Sequence, residues 1–218
     1  MDIDYSKIRL YKDRIRIFFI IYFFGEEYHD PSRPNCCKVL HTEVKIQKLD
    51  FLLRNPDYLA YELMELLKTG TIKKVEIRDE IKKIFVENEP EVRRLEMEKF
   101  FFGAYEDIDQ VIAFLISCGF IEYASERDTN LRVIKKSYYV TKEADLKMTE
   151  KLENLEMLKW YVKRCELIKK YFGDFSGSDL KALQYQIDEY RNTSYKEYIT
   201  DIQELVKNQF FKEFGENL

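Results

Sequence analysis

The chain has 218 residues, 45% of them hydrophobic and 35% charged, with only 7 Gly and 4 Pro. That composition is enough for one packed domain or two small ones, and it excludes a disordered or fibrous chain. A net charge of −4 excludes the global basic field that carries non-specific nucleic-acid binding, so any DNA contact has to be local.

Residues 6–24 place Ile8, Tyr11, Ile15, Phe18 and Tyr22 at three- and four-residue steps, which predicts a helix stopped by Gly25, with a strand over 17–24 as the alternative. The longest apolar run, 17–24, is eight residues, well short of the roughly 20 that a membrane helix needs. No small-residue cleavage site follows it. The cysteines, Cys36, Cys37, Cys118 and Cys165, show no CxxC spacing and suit reduced thiols. The expectation is a soluble, cytoplasmic protein with no membrane partner.

Segment 25–35, GEEYHDPSRPN, reads as a loop, and a helix of about 38–53 is expected after it. Asn55-Pro56 ends that helix, and Pro56 opens the next, 56–68, before Gly70. Further helices are expected over 75–86 and 91–102, the second running into Gly103.

From 105 the pattern is more specific. A helix over 107–118, Gly119 at its left-handed C-terminal position, a strand over 120–123, a polar turn, a strand over 137–140 and Thr141 capping a long helix form the second half of a winged helix. The long helix carries Ala144, Met148, Leu152, Leu155, Leu158, Val162, Cys165 and Ile168 on one stripe and ends near Gly173. Two more helices are expected over 177–191 and 195–214. The fold class is therefore mainly α, a helical bundle with a winged-helix-like segment, a small β-hairpin, in the middle of the chain. Its three regions are 1–104, 105–152 and 153–218.

Catalytic chemistry finds little footing. His29, Cys36, Cys37 and His41 lack the paired spacing of zinc ligands, although Cys37 and His41 lie one helical turn apart. Asp30 with Glu43 and Lys45 has the composition of a metal-dependent nuclease core, but that core needs adjacent strands, and Lys45 falls in a run read as helix. No glycine-rich phosphate loop is present. The chain is read as non-enzymatic, with no catalytic residue, metal or cofactor.

As a DNA reader the winged segment is poor. No Lys or Arg occurs from Phe100 to Glu126, while Glu106, Asp107 and Asp109 crowd the turn that would face phosphates. Only the wing is basic: Arg127, Arg132, Lys135 and Lys136 are the candidate phosphate contacts.

Segment 45–63, KIQKLDFLLRNPDYLAYEL, resembles a motif of the middle components of bacterial ABC-type three-component systems, including the small subunit of Lamassu anti-phage defence complexes. Lys45, Lys48, Leu49, Leu52, Arg54, Asn55, Pro56 and Tyr58 match it, and 160–190 is consistent with the same family. The resemblance implies a scaffold that bridges an SMC-like coiled-coil ATPase and an effector, often a nuclease, with DNA met through the complex. The alternatives are a stand-alone winged-helix DNA-binding regulator and a small metal-dependent nuclease. Arg54 and Tyr58 are the candidate interface residues within the motif, because Arg and Tyr dominate binding hot spots. Phe100, Phe101, Phe210 and Phe211 join them as aromatics in excess of what core periodicity places.

Overall fold

The computed structural model describes residues 5–70, 72–86, 97–101, 103–151 and 156–218. Helix α1 spans Tyr5–Phe24. Its residues Ile17, Phe18, Phe19, Ile20 and Ile21 are all buried, and a helix that is apolar all round has to be enclosed by its neighbours. The helical reading of 6–24 holds and the strand alternative does not, since Gly25 N–H donates to the Ile21 carbonyl at 3.0 Å, one helical turn back.

After the short strand β1 (Glu26–Glu27) the expected helix of 38–53 is corrected: β2 covers Cys36–His41, and α2 begins at Glu43 and ends at Arg54. Thr42, at φ 69°, is the break between them. The strand forms because its partner is distant in sequence. β2 runs antiparallel to β6 (Val133–Thr141), pairing Val39 with Tyr139 and His41 with Ser137. Cross-strand pairing of that kind overrides local helical periodicity.

After residue 105 the expected order of helix, hairpin and helix forms, with both strands longer than the 120–123 and 137–140 expected. Helix α5 (Asp109–Ser117) leads through Gly119, at φ 71°, into β5 (Ile121–Arg127). β5 and β6 pair antiparallel, Ile121 opposite Val140. β1, β2, β6 and β5, in that order, make one four-stranded sheet, so the hairpin is half of a larger sheet. Thr141 donates Oγ1–H to the Gly119 carbonyl at 2.7 Å and accepts the Ala144 N–H at 3.2 Å. It caps α6 (Lys142–Lys151) as expected. Helix α7 covers Glu156–Phe172; Leu152 and Leu155 of the expected stripe lie outside the described residues.

Helices α3 (Pro56–Lys68) and α4 (Lys74–Val86) follow the reading closely. The helix expected over 91–102 is corrected: 91–96 lie outside the described residues, and Glu98–Phe100 is strand β3, paired with β4 (Gly103–Tyr105). The helix of 177–191 is two pieces, α8 (Gly177–Gln184) and α9 (Asp188–Asn192). That of 195–214 is shortened to α10 (Gln203–Phe214). Its first residues instead lie along β3, where Lys99 N–H donates to the Glu197 carbonyl at 2.9 Å and Lys196 N–H to the Lys99 carbonyl at 2.8 Å.

Helix accounts for 58% of the chain, in ten helices among the described residues, so the fold is mainly α with a small antiparallel sheet. Two compact units organise it, Met1–Asp50 with Glu106–Ser178, and Phe51–Tyr105 with Asp179–Leu218. Neither is a continuous stretch of chain. Among the described residues, no helix is long and apolar enough to cross a membrane.

Candidate protein-interaction surfaces

The segment 45–63 acts first through its buried polar side chains. In the first unit, Gln47 donates Nε2–H to the Glu106 carbonyl at 2.7 Å and accepts the Glu106 N–H at 2.9 Å, fixing that backbone from both sides. Asp50 pairs with Arg16, both buried. In the second unit, Asp57 accepts the N–H of Ile202 at 2.8 Å, and the Tyr58 hydroxyl donates to the Thr200 carbonyl at 2.9 Å. Tyr58 also packs edge-on against Phe51, ring centroids 4.8 Å apart.

Arg54 and Tyr58 are therefore corrected as interface residues: both are buried, and a partner has no access to them. Hot-spot frequencies favour Arg and Tyr, but a buried core selects the same residues when their polar ends find partners. Phe210 is corrected likewise, being fully buried on α10 with its ring 4.6 Å from that of Phe214.

The other aromatics stand differently. Phe101 is 75% exposed and Phe211 54% exposed, while Phe100 is half-buried. Phe101 is at the turn of the β3–β4 hairpin, beyond the pairing of Phe100 with Gly103. Its ring centroid is 4.8 Å from that of Tyr195, and Tyr195 is 5.1 Å from Phe100, which is 5.4 Å from Tyr105. Tyr195 is itself 48% exposed.

Four rings thus form one partly exposed cluster on the second unit. The segment carrying Tyr195 is held in place: besides its backbone bonds to β3, Lys99 donates Nζ–H to the Thr193 carbonyl at 2.7 Å. Tyr105 and Tyr195 were not singled out from the sequence. The signal for them was non-local, since nothing in the run 193–198 reveals that it will lie along β3.

On the wing, three of the four candidate phosphate contacts have partners within the chain, two of them carboxylates. Lys135 pairs with Glu126 at 3.2 Å, and Lys136 pairs with Glu43. Arg127 donates Nη1–H to the Leu131 carbonyl at 3.2 Å. Arg132 is exposed. The wing's free positive charge is smaller than its composition suggests.

Among the described residues, no three His, Cys, Asp or Glu side chains gather as metal ligands. His41 Nδ1 and Ser137 Oγ share a hydrogen bond at 2.9 Å, and the Cys37 thiol donates to the Val140 carbonyl at 3.6 Å. Burial pushes the Cys36 thiol up to about 11. Asp30, Glu43 and Lys45 turn to separate partners: Asp30 accepts the Ser32 N–H, Glu43 meets Lys136, and Lys45 donates to the Gly173 carbonyl. The three make no common centre.

One further group is unusual. Glu62 on α3 is buried, its Oε1 has no hydrogen-bond partner, and burial, helped by the charge of Glu65, pushes its carboxyl up to about 8.

The chain matches no protein-family model, no curated protein and no solved structure.

Proposed function

We propose that the chain is a non-catalytic scaffold subunit of a bacterial anti-phage defence complex, bridging an SMC-like coiled-coil ATPase and an effector, often a nuclease. The complex works in the cytoplasm, and DNA is met by the assembly rather than read by this chain. The resemblance of segment 45–63 suggests the setting. The aromatic cluster of Phe100, Phe101, Tyr105 and Tyr195 is the observation that carries the interaction role. Exposed, mutually packed aromatic rings on a hydrogen-bonded frame lose little conformational freedom when a partner covers them, and they bring large apolar areas to the contact. Aromatic residues of this kind dominate the energetics of protein interfaces.

The test is co-production with the products of the adjacent genes. The expected result is a stable complex containing a long coiled-coil ATPase, which Phe101→Asp with Tyr195→Asp weakens by at least about tenfold while the melting temperature of the isolated subunit is unchanged. Absence of any complex with the neighbouring products, or tight and sequence-selective duplex binding by the isolated chain, overturns the reading.

A further inference from the structure

The loop that joins β5 to β6 is built as a rigid knob. Asp128 accepts the N–H groups of Asn130 and Arg132 on Oδ1, each at 2.9 Å. Its own N–H donates to the Arg132 carbonyl at 2.9 Å, and its carbonyl accepts the Leu131 N–H at 3.0 Å. At the tip, Leu131 has φ 62°, a left-handed conformation that favours glycine and disfavours a leucine Cβ.

The leucine side chain gains nothing from its own fold in return. It is 73% exposed, Ile134 is 66% exposed and Val133 is exposed as well. A conformation that a glycine would adopt without strain is thus occupied by an apolar side chain facing outward. Arg127 and Arg132 flank it, and both are exposed.

We propose that the wing tip is an anchor for a partner protein: Leu131 and Ile134 enter an apolar socket whose rim carries carboxylates opposite Arg127 and Arg132. The occupant is a protein rather than a duplex, because Lys135 and Lys136 are taken by Glu126 and Glu43, and because Asp107 and Asp109, at the start of α5, are exposed where a duplex-reading helix would offer cations. It is a different protein rather than a second copy. The apolar recess of this same unit, lined by Ile15, Phe114, Phe120 and Met148, is lined also by Arg14 and Lys147 and, among the described residues, by no carboxylate that could face Arg127 and Arg132.

This anchor is on the first unit, and the aromatic cluster is on the second. It rests on the reading above only in expecting the partner to be co-encoded.

The test places the photo-crosslinking residue p-benzoylphenylalanine at Leu131 in the full chain, expressed from its native locus. The expected product joins position 131 to an apolar, acid-flanked peptide of another protein. Purified Leu131→Gly then melts at or above the wild-type temperature yet binds that protein at least about tenfold more weakly. If the crosslinked protein is not co-encoded, the anchor stands and the defence-complex reading falls. Crosslinking to DNA or to a second copy, absence of any crosslink, or wild-type affinity in Leu131→Gly overturns the anchor.

Discussion

Asp57 and Ile202 are 145 residues apart in sequence, and the Asp57 carboxylate accepts the Ile202 backbone N–H at 2.8 Å inside the second unit. With the neighbouring bond from Tyr58 to the Thr200 carbonyl, it ties the approach to α10 onto the start of α3. Asp57→Ala leaves a buried N–H without its acceptor and should cost about 1–3 kcal/mol. Tyr58→Phe should cost about 1 kcal/mol, and urea unfolding measures both. Partner affinity lost in Tyr58→Phe with stability unchanged would show instead that this tyrosine belongs to an interface.

Arg16 is buried among Asp13, at 2.9 Å, Asp50, in direct contact, and Glu106, at 4.0 Å. Burial works against its charge, but Asp50 and Asp13 outweigh it and hold the guanidinium protonated. Arg16→Met removes the buried cation that Asp13 and Asp50 share and should destabilise the first unit by about 3–5 kcal/mol. Arg16→Met combined with Asp50→Leu should recover part of that loss in the same denaturation experiment, because one buried carboxylate leaves with the cation while Asp13 stays without it.

Glu62 makes stability depend on pH in a stated direction. Its carboxyl titrates near 8 in the folded protein against 4.5 as a free side chain, so the folded state holds the proton longer than the unfolded state. Its contribution is most favourable below the unfolded value and is lost progressively as pH rises toward about 8. Glu62→Gln should flatten the melting temperature between pH 5 and 9 and raise stability at the alkaline end by on the order of 3 kcal/mol. An unaltered pH profile in that variant would mean that the carboxyl reaches solvent.

Lys136 is a structural cation rather than a free one. Its partner Glu43 also meets the Tyr138 hydroxyl, at 3.4 Å. Lys136→Ala should lower stability by about 1 kcal/mol, whereas Arg132→Ala, at an exposed position, should leave it unchanged. Thermal melts of the two variants side by side check the contrast.

Local chemistry made part of this fold legible. Pro56 opens α3, Gly119 takes the left-handed position after α5, and Thr141 caps α6, each as read from residue type and spacing. Periodicity failed at Cys36–His41, where the distant β6 supplies the hydrogen bonds. It failed again at Glu98–Phe100, which pairs with β4 and with the segment around Glu197. The candidate sites divide in the same way. The run of Phe100 and Phe101 drew notice as an excess of aromatics, but its companion Tyr195 had no local mark, and Arg54, Tyr58 and Phe210 looked equally suited to a surface.

By itself, then, the sequence determined the mainly helical class, the order of helix and hairpin after residue 105 and those helix ends that carry a local mark such as Pro56, because turns, caps and apolar stripes are set by residues within a few positions of one another. Only the tertiary structure decided which aromatics are core and which are exposed, which wing cations are already neutralised, and that Leu131 stands strained and outward at the wing tip. Those outcomes depend on partners supplied from elsewhere in the chain, often 90 or more positions away, as Lys136 and Glu43 are. No local window of sequence contains them.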